Sequence, residues 1–104
     1  MVVKKDGVRQ PFSRDKLAAG MFKALHRRPI QPDLVYEFAR QLEQRMAEAG
    51  EREVESSQIG EAVMAFLRTH DAIAYVRFAS VYKEFPDVAA LLAEVQALAA
   101  EQSP

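Results

Sequence analysis

Four residues interrupt the helical pattern of this chain and divide it into short segments. Pro29, Gly50, Asp71 and Pro86 stand between stretches in which apolar residues recur every three or four positions. That spacing places the apolar side chains on one face of an α-helix. Proline disrupts a helix interior, glycine favours a helix C-terminus, and aspartate favours a helix N-terminus. We therefore expect several short amphipathic helices packed around one core.

Five helices are predicted from these patterns. Ser13 caps the first helix, Ser56 or Ser57 the third, Asp71 the fourth and Asp87 the fifth. The fourth helix is apolar or aromatic nearly all round, which favours a position at the centre of the bundle. The polar stretch EREVESS, before the third helix, is expected to be a linker. The predicted ranges are 14–28, 32–49, 57–70, 72–85 and 88–101.

The first residues of the chain predict a β-hairpin over 2–12. Asp6-Gly7 lies between two runs of strand-forming residues, and this dipeptide is typical of a two-residue type I′ turn. In that register Lys4 lies directly opposite Arg9. Like charges in this position are destabilising, so the pair suggests that an anion binds to this face of the hairpin.

The composition excludes several classes of function. The 104 residues suffice for one modest domain, and a net charge of −1 gives no overall attraction to nucleic acid or membrane. The chain has no cysteine and only two histidines, which lie far apart. Disulfides and thiolate zinc sites are therefore excluded, and no metal site is expected. We find no apolar run of membrane-spanning length and no signal peptide, and we expect a single cytoplasmic domain.

The sequence contains no constellation of catalytic residues. A phosphate loop, a dinucleotide fingerprint, an H-E-x-x-H motif and a nucleophile elbow are all missing. The cations are more informative, because Lys16 lies in the first turn of a helix, where the macrodipole disfavours it. A bound anion would neutralise Lys16 and also accept hydrogen bonds from the N–H groups of that turn. We therefore predict a binding protein, not an enzyme, with an anion site at Lys4, Arg9 and Lys16.

Several stretches, in order, resemble the ATP-cone family of small regulatory nucleotide-binding domains. VVKKDGVRQPFSRDKL is similar to the family opening V-x-K-R-D-G-x-x-E-x-F-x-x-x-K-[IL]. ALHRRPI, GEREVESSQIGEAVM and AIAYVRFASVYKEFPDV resemble one branch, the NrdR-type repressors of ribonucleotide reductase genes. The resemblance covers roughly residues 2–95. It implies a mainly α (α+β) fold, in which an N-terminal β-hairpin caps a small four-helix bundle that is followed by a C-terminal helix.

The resemblance implies a site for ATP or dATP, with or without Mg²⁺, between the hairpin and the helices. In the family, hairpin valines and cations contact the base and the phosphates, and a lysine of the first helix reaches the phosphates. Gln10 stands where the family usually has glutamate, which alters the expected ribose contacts or the discrimination between ATP and dATP. With Arg9 from the cation cluster, the predicted site comprises Val2, Val3, Lys4, Lys5, Gly7, Arg9, Gln10, Lys16, Ser56, Tyr75, Tyr82 and Lys83.

The resemblance also implies partners and leaves alternatives open. We expect nucleoside triphosphates as ligands and homo-oligomers that depend on the nucleotide. NrdR proteins bind DNA through a zinc ribbon with four cysteines, so this cysteine-free chain alone is expected to bind neither zinc nor DNA. One alternative is an interaction scaffold that has lost its nucleotide, which Gln10 favours. Others are a stand-alone or ribonucleotide reductase-type ATP cone, and a helix-turn-helix protein, which the few base-reading donors on the third helix disfavour.

Overall fold

A computed structural model of the protein describes residues 1–50 and 52–102. Within these ranges, five helices lie beside a small three-stranded sheet, and the predicted fold class is confirmed. The elements are β1 (Val2–Val3), β2 (Arg9–Gln10), α1 (Arg14–Ala24), α2 (Pro32–Ala49), β3 (Val54–Glu55), α3 (Ser56–His70), α4 (Ala72–Tyr82) and α5 (Val88–Gln102).

The hairpin has a longer turn than the type I′ turn that we predicted. Arg9 pairs with Val3, not with Lys4, and the Gly7 N–H donates to the Lys4 carbonyl at 2.9 Å. Gly7 has a φ of +85°, whereas Asp6 does not have a positive φ. This is a type I turn followed by a left-handed glycine, and the Asp6 carboxylate stabilises it by accepting from the N–H two residues further on at 3.0 Å. The predicted like-charge pair is therefore wrong.

The stretch that we predicted to be a linker contributes the third strand. β3 pairs in parallel with β1, with Val54 opposite Val2, and the strand order is β2-β1-β3. Glu53, just before β3, forms an ion pair with Arg9 of β2. A two-residue strand shows no alternating pattern in the sequence, so its pairing depends on tertiary contacts. As a result, the protein itself supplies a carboxylate partner for Arg9.

The core lies between the first four helices. Its largest fully buried side chains are Met21 of α1, Val35 of α2, and Val63 and Leu67 of α3. α4 contacts α1, α3 and α5, but its Val81 is 77% exposed. The contacts with three helices agree with the predicted central position of α4, although one of its faces is exposed.

Two helices end earlier than predicted, and for the same reason. α1 ends at Ala24 instead of 28, and Arg27 follows with a φ of +61°. α4 ends at Tyr82 instead of 85, and Glu84 follows with a φ of +50°. Each left-handed residue stands two positions before a proline, whose preceding residue is itself disfavoured in a helix. The left-handed residue stops the helix before the proline would.

Asp71 ties the start of α4 to the loop that follows α1. Its nearly buried carboxylate accepts from the Ala74 N–H at 2.9 Å, which confirms the predicted cap. It also accepts from Arg28 Nε, at 3.0 Å to one oxygen and 2.9 Å to the other. Burial opposes ionisation of this carboxyl, but the hydrogen bonds from Ala74 and Arg28 outweigh it and lower the pKa of Asp71.

Replacing Asp71 by asparagine is expected to lower the free energy of unfolding by roughly 1–2 kcal/mol at pH 7, because the amide can still cap α4 but cannot form the charged pair with Arg28. A lowered folded-state pKa stabilises the protein above the unfolded pKa, near 3.8, and this stabilisation is lost as the pH falls through the folded value. Urea denaturation at pH 7 and pH 2.5 measures the change. The difference between the variant and the wild type should be smaller at pH 2.5 than at pH 7, while Glu37→Gln, at an exposed ion pair, should have little effect at pH 7. An equal loss at both pH values would contradict the assignment.

Candidate functional site

A cleft at the base of the hairpin brings together residues that are far apart in sequence. Its volume is about 230 Å³, and its lining residues are Val2, Gln10, Pro11, Phe12, Ser13, Lys16, Leu17, Ser56 and Ile59. Four of them, from β1, β2, α1 and α3, belong to the predicted nucleotide site: Val2, Gln10, Lys16 and Ser56. Their role in binding stays a prediction, but the fold places them around one cavity.

The first turns of α1 and α3 both border this cleft. At α1 the Ser13 hydroxyl accepts from the Lys16 N–H at 3.2 Å, as predicted for the cap. At α3 the cap prediction is wrong, because β3 runs directly into the helix and Glu55 takes the N-cap position. Within the described chain, no side-chain hydrogen bond caps α3. The N–H groups at a helix start can bind an anion, and here they lie beside the cleft that Lys16 also borders.

The same cleft has an apolar side. Val2 is buried, and the partly buried Phe12, Leu17 and Ile59 continue the apolar lining. An apolar surface next to a cation and a helix N-terminus suits a ligand with a flat apolar part and an anionic part. The cleft therefore combines an apolar lining with one cation and a helix N-terminus.

The remaining hairpin residues of the predicted site do not line the cleft. Lys4, Lys5 and Gly7 lie at the exposed turn, and Val3 is partly buried in β1. Arg9 is paired with a carboxylate, as described above. Of the predicted cluster, Lys16 lines the cleft, whereas Lys4 and Arg9 do not.

Tyr75 and Lys83 border a second cleft, also of about 230 Å³. Its lining residues are Glu61, Met64, Ala65, Arg68, Tyr75 and Lys83. Helix α5 supplies carboxylates to its polar groups: Glu94 accepts from the Tyr75 hydroxyl at 2.5 Å and from the Lys83 ammonium at 2.9 Å. Glu101 forms an ion pair with Arg68. The guanidinium of Arg68 also donates to the Tyr75 hydroxyl at 3.2 Å. The donors of this second cleft are thus already bound to carboxylates of α5.

The ionisation of this group follows from its contacts. Hydrogen bonds from Tyr75 and Lys83 lower the pKa of Glu94, and the hydrogen bond from Arg68 lowers the pKa of Glu101. The hydrogen bond to Glu94 raises the pKa of Lys83. Burial, together with the hydrogen bond to Glu94, raises the pKa of Tyr75. At neutral pH the network therefore contains two carboxylates, two cations and a neutral phenol.

Tyr82, the last of the predicted site residues, holds the start of α3 in place. Its hydroxyl donates to the Ser57 carbonyl at 3.1 Å, and its ring lies against Gly60, where a Cβ would come within 2.2 Å of Cε1. Tyr82 also borders an apolar pocket of about 420 Å³ beside Phe78 and Val81. It does not line the hairpin cleft. Its contacts position the helix turn that carries Ser56.

Sequence reasoning missed four residues that shape these sites. Gly60 was signalled only by being a glycine inside a helical pattern, which indicates close packing. Arg68, Glu94 and Glu101 gave no signal, because each is an ordinary charged residue of an amphipathic helix until the tertiary structure joins them. The described residues contain no group of three or more histidines and carboxylates that would hold a metal ion. In the same part of the chain, no helix has the length and hydropathy required to cross a membrane.

The family assignment agrees with this architecture of a hairpin over helices. The profile of the ATP cone domain matches residues 1–88, which include the sheet and α1 to α4. The chain therefore belongs to the ATP-cone family, a family of regulatory nucleotide-binding domains.

Alignments with individual proteins cover nearly the whole chain, including the residues that follow the cone domain. Proteins named transcriptional repressor NrdR from Geotalea uraniireducens, Desulfosudis oleivorans and Oceanobacillus iheyensis are 47%, 47% and 46% identical to this chain over 98, 102 and 96 residues. These alignments cover 94%, 98% and 92% of this chain but 65%, 68% and 61% of the relatives. The chain thus spans about two thirds of the length of these relatives, and the resemblance to the NrdR branch is confirmed.

Proposed function

We propose that this chain is a nucleotide-sensing regulatory domain that binds ATP and dATP in the hairpin cleft. The observation that carries the proposal is the convergence of Lys16, the α3 N-terminus at Ser56 and an apolar lining on one cleft. In the proposed complex the Lys16 ammonium and the α3 N–H groups bind the phosphates, because both carry positive charge. The apolar lining packs against the base, and Gln10, which borders the same cleft, hydrogen-bonds the sugar.

The proposed binding requires the hairpin to move. Small-molecule sites usually have volumes of about 300–1,000 Å³, whereas this cleft has about 230 Å³. Each strand of the sheet has two residues, so few hydrogen bonds oppose a displacement of the hairpin. The same movement would bring Lys4 and Lys5, which lie outside the cleft, towards the phosphates. We therefore include a shift of the hairpin in the proposed mechanism.

The proposed domain binds the nucleotide and does not hydrolyse it. The residues that line the hairpin cleft include no histidine and no carboxylate. Enzymes that hydrolyse a phosphoanhydride commonly use a carboxylate to hold the magnesium ion and a basic side chain to deprotonate the attacking water. The serine hydroxyls and the Gln10 amide of this cleft are poor bases. A regulatory role thus fits the lining better than an ATPase.

We also propose that the bound nucleotide sets how this chain associates with copies of itself within a transcriptional repressor. The name of the relatives supports the repressor role. Apolar side chains on α5 support self-association, since Val88 is 79% and Leu92 52% exposed. ATP and dATP can shift the assembly only as far as their affinities for two arrangements differ. We propose no DNA binding by this chain alone, since its net charge is −1.

Calorimetric titration with ATP, and separately with dATP, in the presence of magnesium at fixed salt tests the proposal. We expect saturable binding with micromolar dissociation constants, and different masses by light scattering in the two nucleotide states. Inorganic tripolyphosphate serves as the matched ligand and should bind more weakly, because it lacks the base and the sugar. The absence of both heat and thermal stabilisation with either nucleotide would refute nucleotide sensing and favour the scaffold alternative.

A further inference from the structure

Helix α5 binds the polar groups of the second cleft as an anionic ligand would. Three oxygens of its two carboxylates receive bonds from an ammonium, a phenol hydroxyl and a guanidinium: those of Lys83, Tyr75 and Arg68. Hydrogen bonds from charged donors to anionic oxygens are the strong class of such bonds, and phosphates attract the same donors. The second cleft therefore has the composition of a phosphate site whose donors are occupied by side chains of the same chain.

Helix α5 buries few of its residues within the part of the chain that the structure describes. Leu98 is the residue of α5 that is buried within the described structure, and Val88 and Leu92 are exposed. The ion pairs to Glu94 and Glu101 are partly exposed, and such pairs typically contribute little to stability. α5 also begins at Val88, the last residue matched by the ATP-cone profile. It is thus an addition to the matched domain that a competing anion can displace at low cost.

We propose that Arg68, Tyr75 and Lys83 form a phosphate-binding subsite, and that the α5 carboxylates of Glu94 and Glu101 compete with the phosphates of a nucleoside triphosphate for it. The inference rests on the proposed function, because its ligand belongs to the same class, the nucleoside triphosphates. Glu61 borders the same cleft and stays there when α5 moves. The two cations still outnumber that single carboxylate, so the subsite remains positively charged.

Displacement of α5 also links the subsite to the association of the chain with copies of itself. The helix that blocks the subsite carries the exposed Val88 and Leu92. When phosphates replace its carboxylates, α5 loses its polar attachment and its apolar side chains are free to pack elsewhere. Occupancy of the subsite would therefore change the surface that is available for self-association.

The double variant E94Q/E101Q tests the competition in the full chain. Glutamine keeps the size and a hydrogen-bond acceptor but removes the negative charge. The ligands titrated are ATP and inorganic tripolyphosphate, and we expect both to bind at least threefold more tightly to the variant than to the wild type. The third substitution in R68Q/E94Q/E101Q should cancel this gain. Hydrogen exchange of the α5 amides in the wild type should accelerate when ATP is added.

The matched control is E37Q/E48Q, which removes two exposed carboxylates of α2 and changes the net charge by the same amount. Its affinities should equal those of the wild type. If the wild type binds ATP and E94Q/E101Q binds it no more tightly, the subsite proposal is wrong and the nucleotide-sensing function stands. If E94Q/E101Q binds tripolyphosphate more tightly while no variant binds ATP, the subsite is supported and nucleotide sensing is refuted. If neither ligand binds any variant, both proposals are refuted.

Discussion

Replacing Gly60 by alanine is expected to lower the free energy of unfolding by roughly 1–2 kcal/mol net, because a side chain forced into a filled space costs up to about 3 kcal/mol. The new Cβ would lie 2.2 Å from Cε1 and 2.5 Å from Cζ of the Tyr82 ring. The ring would have to leave its place, and its hydroxyl would lose the Ser57 carbonyl. Alanine favours a helix over glycine by about 1 kcal/mol. The steric cost is the larger of the two effects, so the net effect is destabilising.

Gly20 provides the matched control for this substitution. It is also a helical glycine, but a Cβ built there meets no atom within 4 Å. Gly20→Ala should therefore stabilise the protein by about 0.5–1 kcal/mol. Urea denaturation of the two variants and the wild type gives the comparison. If Gly60→Ala were also stabilising, that result would contradict the close packing of the Tyr82 ring against Gly60. In a double-mutant cycle, Tyr82→Leu should cost less in the Gly60→Ala background, because the ring has already been displaced.

The helices could be predicted from the sequence because their signals are local. Ser13, Asp71 and Asp87 each cap a helix as predicted, by accepting from the N–H three residues further on. The ranges of α2 and α5 agree with the predicted ones to within a residue. The early ends of α1 and α4 could not be read in the same way. Arg27 and Glu84 have positive φ there, a conformation that their residue types do not favour.

The register of the hairpin and the pairing of the third strand could not be predicted from local sequence signals. Asp6-Gly7 correctly indicated a hairpin, but the same dipeptide is compatible with a two-residue turn and with a longer turn in which only glycine has positive φ. A shift of register by one residue changes which side chains face each other. That shift separates Lys4 from Arg9, and the unpredicted strand β3 brings Glu53 to Arg9. At Arg9 the anionic partner is thus a side chain of the protein.

The candidate site was predictable only in part, for a related reason. The resemblance to ATP cones named Val2, Gln10, Lys16 and Ser56 as site residues, and these four border one cleft. It could not indicate how α5 would pair with Lys83, because α5 lies beyond the matched domain. Contacts between distant charged residues depend on how helices pack, and the hydrophobic pattern of each helix leaves that open.

Replacing Lys16 by methionine is expected to weaken ATP binding at least tenfold, if the hairpin cleft is the nucleotide site. Hydrogen bonds to charged groups contribute about 1.5–3 kcal/mol, and about 1.4 kcal/mol corresponds to a tenfold change in affinity. The fold should be unaffected, since the Lys16 side chain is exposed and the Ser13 cap uses only the Lys16 backbone N–H. Calorimetric titration measures the affinity, and thermal denaturation verifies that the variant is folded.

Lys23→Met is the control, because it removes the same charge from the same helix. Lys23 is exposed near the C-terminus of α1 and borders the apolar pocket beside Tyr82, not the hairpin cleft. Its loss should leave the ATP affinity within about twofold of the wild type, since exposed charges a Debye length of about 10 Å or more from the ligand are largely screened at ordinary salt. Equal weakening in both variants would mean that overall charge, not the cleft, attracts the nucleotide. Full affinity in Lys16→Met would move the phosphates away from the α1 N-terminus, and the second cleft would then be the place to look for them.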